Sequence, residues 1–560
     1  MAAQHEEPDA RSAEGGEAAP EAASGVGAWL GGAPLPERWH LTLGLFAPAM
    51  VLIASMLRVR SFTIDDAFIS YRYSRNLARG LGLVYNEGER IEGYTNFLWT
   101  VILAGGVRVG LDPDALAKVL GGAAACGTLW AAYVLERRLL PLRSVPPLGP
   151  WLLASSIAQA GYAMFGLETS FFVFLVLLGT ELLFRETDRG GLREAFPWSG
   201  LVFGLAGLTR PEAPAFLGIP MLFLGLRFFS PQNLLRGVIF AGVVGLHMLW
   251  RHGYYGTWLP NTLSAKTGDL MGQIHGGTRY LAEYGRHAWP ALLLSLFGLS
   301  LSMILRHRRA LCLGAVGVFV LGYVLLVGGD WMPLYRFVAP FEPYAFALAG
   351  MGGRAVIEAV IRASAARPRA VLASVGLAAA FAGVVAVGAH RGSMLARGQR
   401  RILFDDKVFW DSAAGGVADW FAKNGERGEI GVADMGYIGY ATDYPVLDLL
   451  GLVDPVISQL PGGYTQKTGP GFVQRVFEKM PRYFVFVGNR EGCARLPFPS
   501  QEKLRRDRRF QRVYRLAGQV RHTKDGYWCI LDRGAGPAPE QAAPSPPPRP
   551  ADAPRGGPND

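Results

Sequence analysis

Charge is scarce in this sequence. Of 560 residues only 18% are Asp, Glu, Lys or Arg, where soluble domains carry about a quarter, and the mean hydropathy is +0.20. That shortage excludes a soluble enzyme of this length, and equally a fibrous or wholly disordered chain. Cysteine is scarce too: four residues cannot form a disulfide scaffold. No G-x-G-x-x-G run occurs, and the D-x-G-x-x-G stretch that starts at Asp434 has no acidic residue where a dinucleotide fold needs one, so that fingerprint is excluded. A net charge of +11 raises the question of nucleic acid. The basic residues, however, sit in short loops between apolar blocks, so no nucleic-acid partner is expected and the charge reads as membrane topology.

Apolar blocks recur from about residue 41 to residue 389, half of all residues being hydrophobic. The block at 41–59 comes late and runs long for a cleaved signal peptide, so it is expected to remain as the first span. Further blocks near 114–134, 148–165, 168–185, 198–210, 213–228, 236–251, 288–305, 310–328, 336–352 and 370–389 approach the roughly 20 residues that cross a bilayer. Arginines crowd alternate connections: Arg137, Arg138 and Arg143; Arg185, Arg189 and Arg193; Arg227 and Arg236; Arg306, Arg308 and Arg309; Arg354, Arg362, Arg367 and Arg369. Those loops are expected in the cytoplasm. The alternation holds only if the weak block at 96–110, with Arg108 inside it, lies at the interface instead of crossing. The expectation is therefore a polytopic α-helical membrane protein of about eleven transmembrane helices plus juxtamembrane helices, with a cytoplasmic N-terminus.

Four regions follow. Residues 1–37 and the Pro-rich 535–560 have almost no large apolar side chains and are expected to be disordered. Residues 38–390 form the membrane domain, with a first outward loop at 61–113. Residues 391–534 form an extracytoplasmic α/β domain: strand-like runs lie at 428–433, 483–487 and 528–532, and helical periodicity at 413–424 and 472–480. Cys493 and Cys529 both fall in that outward domain, where a bridge is permitted, so they are expected to pair, while Cys126 and Cys312 lie in spans as thiols.

Polar chemistry gathers on the outward side. Asp65 and Asp66 follow the first span directly, ahead of Tyr71, Arg72 and Tyr73 and then Glu92 and Tyr94. Adjacent carboxylates at a membrane exit are costly unless they bind a cation, share a proton or meet a basic ligand. Asp65 could also simply cap the helix that follows it. Glu168, Arg210, Glu212, Lys266, Asp330 and Arg336 stand at later outward span ends. Guanidinium and ammonium groups grip phosphate, and a carboxylate can take the proton of an acceptor hydroxyl, so this set suits a lipid-linked phosphate donor. His252, Tyr254 and Asn261 belong to the longest outward loop, 252–287, expected to fold over the site. Asp434, with Tyr437 and Tyr444, is expected to line the contact with the membrane core or to bind acceptor glycan.

The run IDDAFISYRYSRNLARGLGLVYNEGERIEGYTNFLW at 64–99 resembles the first outward loop of the GT-C glycosyltransferases, and is particularly similar to that of the AftB-type terminal arabinofuranosyltransferases. The resemblance continues through FGLETS at 165–170, GLTRPEAP at 207–214, YYGTWLPNTLSAK at 254–266, GDWMPLYRFVAPFEP at 329–343 and DMGYIGYATDYPVLDLLGLVDP at 434–455. It implies an inverting transfer of a sugar, arabinofuranose for the AftB type, from a polyprenyl phosphate donor to a glycan or glycolipid acceptor outside the cytoplasmic membrane. It also implies that Asp65 or Asp66 is the general base or holds a divalent cation such as Mg, Mn or Ca, while Arg72, Arg210, Lys266 and Arg336 serve the donor phosphate. Two other readings stay open: a mannosyl- or aminosugar transferase acting on protein or lipopolysaccharide, and a transporter of the lipid-linked sugar. Transporters place charges and broken helices near the bilayer midplane, which this charge pattern does not match.

Overall fold

Long runs of Leu, Val, Ala and Phe without turn signals leave the backbone one local way to satisfy its amides, and most of the first 400 residues are helical. The structure is a computed structural model that describes residues 35–534 except 142–143, 190–191, 193–194, 226–228, 267–269, 367–370, 463–466 and 490–492. The two tails expected to be disordered, and Arg143, Arg193, Arg227, Arg367 and Arg369, therefore lie outside the described residues, save for 35–37 of the first tail. The helices are α1 Glu37–Leu41, α2 Ala47–Val59, α3 Asp65–Ala78, α4 Phe97–Arg108, α5 Pro113–Leu139, α6 Gly149–Ala154, α7 Ile157–Met164, α8 Thr169–Asp188, α9 Trp198–Gly207, α10 Ala213–Phe223, α11 Pro231–Tyr255, α12 Asn261–Lys266, α13 Leu270–Ile304, α14 Arg308–Val327, α15 Glu342–Ala366 and α16 Val371–Arg401.

Among the described residues, five helical segments are both long and apolar enough to cross a bilayer: Glu37–Val59, α5, α11, α13 and α14. Helices α7 and α8 make a sixth if taken together, bent by 118°. The remaining expected crossings fall on shorter, broken or more charged helices. The block at 148–165 divides into α6 and α7, because Ser156 leaves the helical path and its hydroxyl caps α7 by accepting the Gln159 amide. Helices α9 and α10 have 10 and 11 residues, and Arg210-Pro211-Glu212 separates them. Helix α4 stays at 12 residues, in keeping with a block that does not cross.

The chain passes residue 390 inside a helix. Helix α16 continues to Arg401, and π-helical turns at Ile402–Asp406 and Ser412–Val417 carry it through α17 Lys407–Asp411 to α18 Ala418–Asn424. Five strands follow: β1 Ile430–Val432, β2 Val446–Asp448, β3 Tyr483–Asn489, β4 Arg515–Arg521 and β5 Gly526–Asp532, in the order β2-β1-β3-β5-β4. Strand β1 is parallel to both neighbours, whereas β5 is antiparallel to β3 and β4. Helices α19 Met435–Thr442, α20 Pro455–Ser458, α21 Pro470–Lys479, α22 Pro499–Arg506 and α23 Arg508–Val513 complete the domain. The three anticipated strands are β1, β3 and β5. Strand β2 has three residues, and β4 is a charged, largely exposed edge, so neither carries the apolar alternation that announces a strand.

The first loop belongs to this domain's core. Ile69, Tyr73, Leu83, Tyr85 and Tyr94 pack in one buried cluster with Val417, Phe421, Ile430, Met435, Ile438, Tyr483 and Trp528. Phe472, Phe484, Phe486, Leu504 and Phe510 form the cluster on the opposite sheet face. Cys493 and Cys529 are bonded there with Cα atoms 6.2 Å apart, while Cys126 and Cys312 are free thiols. Replacing both bridged cysteines by Ala is expected to lower stability by about 2–4 kcal/mol. Thermal unfolding of the purified protein, compared with and without reductant, measures it.

Candidate active site

Helix α3 starts after Ile64, which is extended and gives no side-chain cap. Asp65 does cap a helix, but not its own. Its Oδ2 accepts the Gly436 amide at 2.9 Å and its Oδ1 the Tyr437 amide at 2.7 Å, both in the first turn of α19. Asp434 occupies the N-cap position of α19, where an Asp side chain ordinarily accepts those very amides, yet it makes no cap hydrogen bond. Gly436 is required by the closeness: a Cβ there would stand 2.0 Å from the Asp65 carbonyl oxygen.

The other end of α19 is held as firmly. Arg72 Nη1 donates to Gly439 O at 2.6 Å and Nη2 to Tyr444 O at 2.8 Å, while its Nε reaches Tyr85 O. Arg75 donates to Tyr440 O and, with Arg79, to the carboxylate of Asp443. Helix α3 thus presents acid to the positive end of α19 and arginines to its carbonyl end, complementing its dipole at both termini. Arg72, expected at the donor phosphate, is buried and spends all three nitrogens on backbone carbonyls.

Three carboxylates gather around this contact. Burial, then the charges of Asp434 and Asp66, push Asp65 well above the usual carboxylate range, against the pull of the two amides. Burial beside Asp66 and Asp448 raises Asp434 to about 7. Asp434 and Asp448 stand at the carboxyl ends of the adjacent parallel strands β1 and β2, the usual crevice of such sheets. Burial raises Asp448 to about 7 as well, although it accepts amides from Leu450, Leu452 and Val453. Among the described residues no three His, Cys, Asp or Glu side chains are placed to hold a metal ion.

The later span ends supply a second network. Arg210 donates Nε to Glu212 at 2.6 Å and Nη1 to Glu168 at 3.1 Å; Glu168 also accepts from Asn96, itself bonded to Ser70 of α3. Arg336 pairs with Asp330 at 2.7 Å. The two guanidinium groups share the ring of Phe337, at 5.5 and 4.9 Å. Tyr162 joins the networks, with Asp66, Asp330 and Arg336 all within its electrostatic reach. Asp65, Asp66, Glu168, Arg210, Glu212, Asp330, Arg336 and Asp434 therefore form one connected region. Arg336 follows Leu334 and Tyr335, both left-handed at φ 66° and 57°, a strained turn that aims it inward.

The remaining candidates bind the loops together. Glu92 is buried against Arg251 of α11 at 2.8 Å, and burial raises its carboxyl to about 7. The Tyr94 hydroxyl meets that of Tyr255 at 3.1 Å, and the Tyr254 hydroxyl accepts the Leu83 amide. Asn261 donates to Gly451 O and Leu452 O, fastening the segment at 252–266 to the C-terminal domain. His252 is exposed and stacks on Trp258 at 4.3 Å. Lys266 ends α12, but its side chain lies outside the described residues. Tyr162, Asn96 and the buried pair Glu342 and Arg391, at 3.1 Å, escaped the sequence reading because single polar residues inside apolar blocks carry no local signal.

This arrangement of membrane helices, first loop and C-terminal domain is a GT-C fold. ArnT from Cupriavidus metallidurans, solved bound to undecaprenyl phosphate, superposes with a TM-score of 0.51 over 90% of this chain and 100% of that chain, at 13% identity. Its apo form gives 0.52 over the same shares. In sequence, the chain is similar to a terminal beta-(1->2)-arabinofuranosyltransferase of Mycobacterium tuberculosis, 28% identical over 271 residues, which are 45% of this chain and 42% of that protein. The protein of the same name from Corynebacterium glutamicum is 27% identical over 338 residues, 50% of this chain and 48% of that protein. The chain spans less than half the length of either relative in these matches. Residues 407–532 match a family described as "Domain of unknown function (DUF8728)".

Gly436→Ala is expected to part α19 from α3 and to lower stability by about 1–3 kcal/mol; an unchanged melting temperature would contradict the contact. Asp434 titrates at about 7 in the folded protein against 3.8 for the free group. Between those values the folded state binds more protons than the unfolded, so stability falls as pH rises. Asp448 acts with the same sign. Asp434→Asn should therefore flatten, without abolishing, the fall in melting temperature from pH 5 to pH 8.

Proposed function

We propose that this protein is an inverting glycosyltransferase that moves a sugar, arabinofuranose, from a polyprenyl phosphate to a cell-envelope glycan on the outer side of the cytoplasmic membrane. One observation carries the reading: Asp66 at the start of α3 shares the electrostatic surroundings of Tyr162 with Asp330 and Arg336, and Glu168, the partner of Arg210, is tied through Asn96 to Ser70 of α3. Two relatives named for terminal arabinofuranosyl transfer support the sugar. A GT-C neighbour bound to undecaprenyl phosphate supports the lipid. The arginine-rich alternate loops support the orientation, and a site on that outer side, away from cytoplasmic nucleotide sugars, fits a lipid-linked donor.

Asp65 spends both oxygens on the amides of α19 and acts as the positioning residue. Asp66 is the base. The acceptor hydroxyl attacks the anomeric carbon, its proton passes to the Asp66 carboxylate, the new glycosidic C–O bond forms and the old bond to phosphate oxygen breaks. The departing polyprenyl phosphate takes the bonding pair, and Arg210, Arg336 and Lys266 neutralise it where solvent screening is weak. Asp434 and Tyr437 line the acceptor side. Asp65 already accepts two amides, and in the proposed step the carboxylates act as proton-transfer groups, with no divalent cation.

The test uses purified protein and synthetic polyprenyl-phosphoryl arabinofuranose beside mannose and aminosugar donors. Arabinofuranose transfer is expected, and Asp66→Asn should reduce it by about 10²–10⁴. Transfer should persist in EDTA. Full activity of Asp66→Asn would sink the assignment of the base, and transfer from another donor alone would replace the sugar.

A further inference from the structure

Helix α8 begins in buried surroundings with polar groups left over. Glu168 holds its N-cap position but gives no side-chain cap, because its carboxylate is taken by Asn96 at 2.9 Å and Arg210 at 3.1 Å. The first amides of any helix have no intrahelical acceptor. Here the hydroxyls of the first two helical residues, Thr169 and Ser170, also have no partner among the described residues, although each residue is only 1% exposed. The Cα–Cβ bonds of a helix tilt toward its N-terminus, which inclines both side chains toward the end where those amides point. Arg210 lies against the same turn, its Cζ 5.6 Å from the Phe172 ring.

We propose that the N-terminus of α8 seats the phosphate of a membrane lipid, which the opening amides and the hydroxyls of Thr169 and Ser170 bind through its oxygens. This rests on the glycosyltransferase reading for the identity of the lipid and names the place where its phosphate sits. The opening amides are donors, the two hydroxyls can donate as well, and the helix end itself is positive. Arg210 and Arg336 share their charge with carboxylate partners, and the positive end of the 20-residue α8 adds to theirs at this turn. Glu212 Oε2, an acceptor without a partner among the described residues, suits a sugar hydroxyl next to that phosphate.

The probes are undecaprenyl phosphate and undecaprenol, bound to the full chain in nanodiscs. Thr169→Val with Ser170→Ala is expected to weaken undecaprenyl phosphate by at least about ten-fold, the effect of losing hydrogen bonds to a charged group, and to leave undecaprenol unchanged. Exchanging the two as Thr169→Ser with Ser170→Thr keeps both hydroxyls and is expected to bind like the original; an equal loss there would mean packing and overturn the proposal. Undiminished phosphate binding by the first double variant, with sugar transfer intact, removes the seat and leaves the glycosyltransferase reading standing. If the unmodified protein does not distinguish the phosphate from the alcohol and transfers no sugar, both fall.

Discussion

The carboxylate of Asp65 on the opening amides of α19 is the contact from which the rest of the site takes its geometry. It joins residues 371 and 372 positions apart in the chain, and its carboxyl group is buried. It also displaces Asp434 from its default work as a cap. A helix that could close its own N-terminus is instead closed from the membrane domain, so α19 has its cap only while docked. The arginines of α3 complete the grip at the carbonyl end, and the domain and first loop share one hydrophobic core. The C-terminal domain is thereby a wall of the candidate site and not an appendage.

Burial makes each charge in this region consequential. A carboxylate or guanidinium removed from water keeps its charge only with close partners, and the structure supplies them: Glu168 and Glu212 for Arg210, Asp330 for Arg336, Arg251 for Glu92. The acids at the strand ends are the exception. Burial raises Asp434, with help from the charges of Asp66 and Asp448, and burial raises Asp448, so both titrate toward neutral pH. Groups poised there exchange protons readily, whereas the paired arginines hold fixed positions and fixed charge. The same region so combines a rigid cationic frame with mobile protons.

Much of the fold was legible along the chain. Low charge, recurrent apolar blocks and a late change in composition pointed to membrane helices followed by an α/β domain, because burial in lipid and burial in a sheet leave different periodicities. Crossing counts were less legible. Apolarity alone does not separate α6 from α7 or expose the shortness of α9 and α10, since a serine that leaves the helical path, or an Arg-Pro-Glu turn, interrupts a block without changing its composition. The edge strand β4 was invisible for the converse reason: its residues face solvent and carry no apolar pattern.

For the site, the sequence by itself determined which residue types gather at the span ends, because acids and arginines so close to lipid are tolerated only where they have work to do. It also set the acidic pair directly after the first span. Which member of the pair faces another helix, and that Arg72 serves backbone carbonyls, was decided only in three dimensions. Capping is a local rule when donor and acceptor are neighbours, but here the cap lies some 370 residues from the helix it closes. Only the packing of α3 against α19 brings the two together, and one sequence carries no local trace of a contact at that separation.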